Sequence, residues 1–275
     1  MMPLKCRSLI LATVFALLAS AVILSSYSQT TPSALELLCR VDSVSTKVPN
    51  NHIVIPVYMN NVSDSVAAFQ LWVVAADPSL VRFAIDSTHG GTVYAKFDTT
   101  GTRSRGCTIN ARIMDPLQST VKVQGFPLPK PSGPGPIPPG DGMLIKLIAE
   151  TSGIPNGYSV VPIMLEHAQT QFSNTKAQLI GCNYDSLGQC HIDTTKLVLR
   201  DGKVLVYLCG DMNEDGMVDI SDPIYLLRCV FDGCDWWTFY GHIDANCDEA
   251  VDISDIVYLI VYIFGGGPAP CATCP

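Results

Sequence analysis

Ile53-Val54-Ile55-Pro56-Val57-Tyr58-Met59 is a short run of almost wholly apolar residues, rich in β-branched types and closed by Asn60 and Asn61. A run of this length bounded by turn residues forms a strand rather than a helix. Working outward, runs of the same kind occur at 38–45, 67–74, 80–85, 108–113, 121–126, 143–150, 159–165 and 203–208. No convincing amphipathic helix of ordinary length interrupts them. An antiparallel β-sandwich is the expected architecture for this part. The Pro/Gly-rich stretch 127–142 is expected to be a surface loop, because strand pattern resumes at Met143.

After Leu208 the periodicity changes. Residues 222–231 and 255–264 carry apolar residues compatible with short, largely buried helices, each opened by an Asp that can cap it. Pro223 would then fall at the first helical position, where a missing N–H costs nothing. The tail also repeats itself: Asp211, Asn213, Asp215, Val218, Asp219, Ile220, Ser221, Asp222, Tyr225, Leu226 and Phe231 recur 33 residues later, from Asp244 to Phe264. Two loop-helix units that cannot bury their apolar faces alone are expected to pack on each other, forming a small all-α module.

At the N-terminus, Lys5 and Arg7 precede an apolar run and then the small-residue site Ser26-Tyr27-Ser28. That three-part pattern is a cleavable secretory signal over 1–28. It leaves a sandwich at 29–208 and the module at 209–275. No second long apolar stretch follows, so a soluble, exported chain without a membrane span is expected. Cys6 leaves with the signal. The ten remaining cysteines (Cys39, Cys107, Cys182, Cys190, Cys209, Cys229, Cys234, Cys247, Cys271, Cys274) form an even set, for which disulfides are the default in an exported protein.

The net charge of −8 is concentrated in the tail, where twelve acidic residues face one basic residue, Arg228. Such a segment excludes nucleic acid and anionic lipid as partners and suits cations. Calcium takes six to eight oxygens from a loop whose alternate side chains turn inward. The first loop offers Asp211, Asn213 and Asp215, Gly216 at the sharp turn, the Met217 carbonyl, Asp219 and Asp222. The second offers Asp244, Asn246, Asp248, the Ala250 carbonyl, Asp252 and Asp255, with Glu249 where the turn glycine belongs. Two calcium sites are therefore expected. A merely solvated acidic face would not repeat in register.

With Asp at the last loop position and no helix before either loop, these residues resemble a type I dockerin domain. Such domains fold on binding calcium and dock onto a cohesin. The resemblance implies partner contacts at Ile220, Ser221, Ile253 and Ser254, and at the retained basic residue Arg228; Leu227, Ile260 and Val261 depart from the family's basic helix positions. In the β-rich part, Val54-Ile-Pro-Val-Tyr-Met-Asn-Asn61, Ala68-Phe-Gln-Leu71, Asp77-Pro-Ser-Leu-Val-Arg-Phe83 and Gly140-Asp-Gly-Met-Leu-Ile145 resemble, in order and spacing, landmarks of cohesin domains. That likeness implies a jelly-roll-like sandwich, a fold shared with carbohydrate-binding modules.

Catalytic motifs are absent: the chain has no Gly-x-Ser-x-Gly, no His-Glu-x-x-His and no Gly-rich phosphate loop. His52, His89, His167, His191 and His242 are isolated in sequence, and Trp236, Trp237, Phe239 and Tyr240 are expected in the core between the repeats. Asn61-Val62-Ser63 is a glycosylation sequon at an expected turn, relevant only in a eukaryotic host. The sequence thus reads as a secreted, non-catalytic, calcium-dependent protein-protein interaction chain, with a cohesin- or dockerin-bearing protein or another copy as partner. The alternatives are a carbohydrate-binding module on a dockerin, with a polysaccharide as ligand, and a polysaccharide hydrolase component.

Overall fold

The structure, a computed structural model, describes residues 35–89, 93–127, 133–153, 158–233 and 243–271. The expected signal segment, His242 and the aromatic residues at 236–240 lie outside the described residues. Among the described residues there are fifteen strands, in order β1 (Leu37–Val41), β2 (Val44–Lys47), β3 (Ile53–Asn61), β4 (Val66–Ala75), β5 (Val81–Phe83), β6 (Phe97–Asp98), β7 (Cys107–Ile113) and β8 (Thr120–Pro127). After the Pro/Gly stretch come β9 (Gly140–Thr151), β10 (Tyr158–Leu165), β11 (Gln171–Asn174), β12 (Cys182–Tyr184), β13 (Cys190–Ile192), β14 (Leu197–Arg200) and β15 (Gly202–Tyr207). Two helices follow, α1 (Ser221–Asp232) and α2 (Ile253–Gly265).

Strands β12 and β13 pair with each other as a separate two-stranded sheet, and the other thirteen form two large sheets. The first has the order β14-β1-β3-β9-β5, with β6 also on β9; the second has the order β2-β15-β10-β4-β8-β7, with β11 also on β4. Along β3, residues Ile53, Ile55, Val57 and Met59 turn inward while their neighbours face out, the period-2 pattern of a strand covered on one side. A register irregularity between Val57 and Tyr58 against β9 lets Leu144 and Ile145 both be buried. One continuous apolar cluster fills the space between the sheets, from Leu37 through Leu71, Leu147 and Phe172 to Val206.

The pairing is antiparallel except at two places. β1 runs parallel to β14, and β2 runs parallel to β15. The expected single strand at 38–45 is split for this reason: the chain leaves the first sheet after Val41 and enters the second at Val44. Between Arg200 and Gly202 the last segment makes the same change beside it. The two crossings touch at Gly202, where a Cβ would lie 2.5 Å from the Asp42 carbonyl oxygen and 2.7 Å from that of Val41. Only glycine fits there.

Two sequence expectations are corrected. Cys39 and Cys107 are free thiols rather than members of an all-disulfide set. Cys39 points into the sandwich core, where burial pushes its thiol up to about 12. The bonds Cys182–Cys190 and Cys209–Cys271 are formed, and Cys229 and Cys247 are disulfide-bonded as well. Asn61 is the fully buried last residue of β3 rather than an exposed turn. Its Nδ2 donates to the carbonyls of Asp64 (2.6 Å) and Pro138 (3.2 Å), so its amide nitrogen holds the loops together.

Two glycine substitutions separate backbone from side-chain constraint. Gly202→Ala would press on carbonyls that cannot yield, and Gly125→Ala would place a Cβ 2.1 Å from the Phe69 ring. Each is expected to destabilise the sandwich by roughly 1–3 kcal/mol in urea unfolding. Shortening Phe69 to Leu should rescue Gly125→Ala in part, and no single side-chain change should rescue Gly202→Ala.

Candidate functional site

The residues after β15 fold around a second, separate apolar cluster built on Met212, Leu226, Ile243, Ala245, Ile256 and Leu259. The two helices pack on each other through this cluster, with one loop leading into each. Asp211, Asp222 and Asp255 are fully buried. Asp244 and Asp219 are partly covered, whereas Asp215, Asp248 and Asp252 are exposed.

The 33-residue repeat in sequence is a repeat in hydrogen bonding. Asp222 Oδ1 accepts from the amides of Met212 (2.7 Å) and Asn213 (3.3 Å), and its Oδ2 accepts from Asp219 (2.7 Å). Asp255 does the same with Ala245 (2.8 Å), Asn246 (3.3 Å) and Asp252 (3.0 Å). Asp211 accepts from the amides of Asp215 and Gly216, and Asp244 from those of Asp248 and Glu249. The side chains of Asn213 and Asn246 donate to Ser221 and Ser254. Met217 and Ala250 donate their amides to Asp215 and Asp248. Among the described residues no three His, Cys, Asp or Glu side chains are gathered as a ready chelate; in this structure the loop amides occupy the carboxylates.

Electrostatics follow from this burial. Burial pushes the carboxyls of Asp222 and Asp255 above the usual range, amide hydrogen bonds oppose it, and the like charges of Asp211 and Asp244 add to it. Asp219 is held below the usual range by the Ser221 hydroxyl and amide, and Asp252 by the Ser254 amide and hydroxyl. The donor set is all oxygen, and two of the fully buried carboxylates each have a second carboxylate beside them. That chemistry fits a hard cation.

Backbone conformation adds a further check. The turn position is left-handed in both loops, with φ +86° at Gly216 and +67° at Glu249. The fourth loop position is also left-handed in both, at Glu214 (+62°) and Cys247 (+63°). Only the turn position distinguishes the loops, because it alone carries glycine in one and a Cβ-bearing residue in the other.

The helix starts differ from expectation. α2 is capped by Asp252, whose side chain accepts from the Ser254 amide, while Asp255 reaches back to the Asp252 amide as its capping-box partner. α1 begins at Ser221 with Ile220 before it, which puts Pro223 at the third helical position. The first-turn amides of a helix have no intrahelical partner, so proline still costs nothing there.

The helices are also less buried than expected. Ile220, just before α1, and Ile224, Leu227 and Phe231 on it stand exposed, and Ile253, Val257, Ile260 and Phe264 are exposed at the equivalent places on α2. The spacing i, i+4, i+7, i+11 sets each group on one helix face. Phe231 and Phe264 are each 69% exposed. The sequence hid this because both helices are apolar nearly all round, and only one face of each finds a neighbour. Arg228 is exposed on α1, whereas Ser221 and Ser254 are half-buried and bonded within their loops.

The ends of this segment are pinned. Cys209, two residues before Asp211 at the start of the first loop, is disulfide-bonded to Cys271. The Cys271 amide donates to the Ala245 carbonyl in the second loop (2.9 Å), and Lys47 Nζ of β2 donates to the Cys271 carbonyl. Among the described residues no helix is long and apolar enough to cross a membrane.

No protein-family model matches this chain, and no curated protein matches it. Among solved structures it is similar to the third cohesin of ScaC from Acetivibrio cellulolyticus, solved in complex with the ScaB dockerin, with 16% identity over 62% of this chain and 99% of that one and a TM-score of 0.43. A type III cohesin module of the cell-surface anchoring scaffoldin ScaE from Ruminococcus flavefaciens is similar at 15% identity over 66% of this chain and 93% of its own, TM-score 0.43. A non-cellulosomal cohesin from the archaeon Archaeoglobus fulgidus is similar at 12% identity over 62% and 91%, TM-score 0.40. These likenesses are too distant to carry residue roles or ligands to this chain.

Proposed function

We propose that this chain is a secreted, non-catalytic adaptor. Its C-terminal loops take up two calcium ions and, once ordered by them, present the helices as a dockerin-like docking face; its sandwich serves as a cohesin-like platform for a dockerin-bearing protein. The observation that supports it is the duplicated lattice of amides and carboxylates around Asp211, Asp222 and Asp255, all fully buried. Buried carboxylates beside like charge are costly unless a cation joins them.

In the first loop Asp211, Asn213, Asp215, the Met217 carbonyl, Asp219 and Asp222 would hold the ion. In the second, Asp244, Asn246, Asp248, the Ala250 carbonyl, Asp252 and Asp255 would do so. An ionised carboxylate has about four lone-pair sites, so amide bonds and a metal can be served together. The bound ion supplies the positive charge that neutralises each cluster. The loop residues themselves tie the chain before each helix to that helix's first turn.

Removing calcium is therefore expected to loosen the residues after Leu208, since clustered carboxylates repel and binding energy becomes folding energy. Circular dichroism of the full chain in chelator should lose helix signal while sheet signal stays; an unchanged spectrum counts against the reading. The two sites are expected to differ. A Cβ in left-handed backbone costs roughly 1–2 kcal/mol, which makes the Glu249 loop weaker by about 5- to 30-fold. Calorimetric titration should show two steps that Glu249→Gly brings together.

For docking, Ile220 and Ile253 occupy equivalent exposed places, each the first residue of its apolar stripe. Replacing Ile220 by Asp should weaken capture of a purified cohesin only slightly, and replacing both should abolish it, as read by surface plasmon resonance. Loss on the first change alone would establish a single face. Retention on a glycan array or release of reducing sugar would instead favour the saccharide-binding or hydrolase readings.

A further inference from the structure

The outward face of the second sheet matches the helix face in both hydropathy and charge. Opposed residues on neighbouring strands lie on the same side of a sheet, so the pairings Trp72–Lys122, Lys122–Arg112, Val74–Met164, Pro162–Lys203 and Val160–Leu205 place these side chains in one outward layer. Its centre is apolar, with Val160 and Met164 exposed. Its charges are Arg112, Lys122, Lys203 and, at the β2 edge, Lys47, and no outward position on β7, β8, β4, β10, β15 or β2 is Asp or Glu. Lys122 lies over the Trp72 ring at 5.5 Å. The helical segment is the converse: it carries two exposed apolar stripes together with the exposed carboxylates Glu214, Asp232, Glu249 and Asp252, and Arg228 is the one cation among its described residues.

The two faces do not meet within the molecule, where Val160 and Met164 on one and Phe231 and Phe264 on the other are all exposed. A single residue, Leu208, separates the last residue of β15 from Cys209, and one residue spans at most about 3.6 Å. The Cys209–Cys271 bond and the Lys47 contact hold both ends of the helical segment at the β2-β15 edge of the sheet. Both faces are accordingly exposed in the same chain.

We propose that the occupant of the sheet face is the helix face of a second copy of this chain, so that molecules join head to tail. The proposal rests on the docking reading above and names the partner. Two different surfaces meet in such a contact, and it therefore builds open chains or rings rather than a closed symmetric dimer.

Complementation tests this with the full chain in calcium buffer, followed by sedimentation velocity over a range of concentrations. The wild type should form a ladder of species beyond the dimer that recedes as salt is raised, because the rim pairs charges of opposite sign. The variant Ile220→Asp/Ile253→Asp keeps the sheet face, and Lys122→Glu/Met164→Glu keeps the helix face. Each alone should be monomeric, its association weakened by roughly 30-fold or more. Their equimolar mixture should give a one-to-one dimer and nothing larger. Circular dichroism must match the wild type for each, and Val160→Glu replaces the sheet variant if it does not fold. A wild type that stays monomeric, one that stops at a closed dimer, or a mixture with no dimer overturns self-pairing. A monomer that still binds a purified cohesin through its helices leaves the docking reading standing, and one that binds neither cohesin nor dockerin overturns both.

Discussion

The close approach of Gly202 to the Val41 and Asp42 carbonyls is the constraint on which the rest of the molecule turns. There the first and last strand segments of the sandwich change sheets side by side, and each pairs with the other in parallel on both sides of the crossing. The arrangement joins both sheets along one edge and sends the chain out of the sandwich at Tyr207. Everything that follows, from Cys209 onward, inherits its position from that exit.

At the exit, covalent and polar ties replace sheet pairing. The Cys209–Cys271 bond closes the helical segment on itself, and the Cys271 amide bonds to Ala245 beside the first residue of the second loop. Closing a long loop in this way restricts the unfolded chain more than the folded one. The bond thus offsets the smallness of an apolar cluster that rests on a handful of side chains.

Inside that segment the carboxylates have two kinds of work. Asp222 and Asp255 organise the backbone by accepting three amides each, and with Asp211 they stand out of solvent. Asp215, Asp248 and Asp252 remain exposed at the loop edges. The buried members serve folding through these amides, and their oxygens are of the kind that suits a hard cation. The same economy leaves the outer face of each helix uncovered, since two short helices can hide only one side apiece.

The sequence by itself determined the local elements, because local elements depend on neighbouring residues. Runs such as Ile53–Met59 read as strand from their apolar, β-branched character, and the repeat from Asp211 to Phe264 read as paired loops and helices from its spacing alone. The left-handed turn was legible too, as Gly216 announced it and Glu249 shares it. Strands of two to four residues, such as β6 and β11 to β14, were not legible, being too short for a periodicity. Tertiary structure alone decided which sheet each segment joins, since a sheet change at 42–43 or 201 is set by contacts distant in sequence. It also decided that Cys39 faces the core as a free thiol and that Asn61 is buried beneath Pro138 rather than exposed. Above all it decided which apolar residues of the helices are covered, because burial is a property of the neighbours a side chain meets, and a segment apolar on every face gives no sign of which face will meet none.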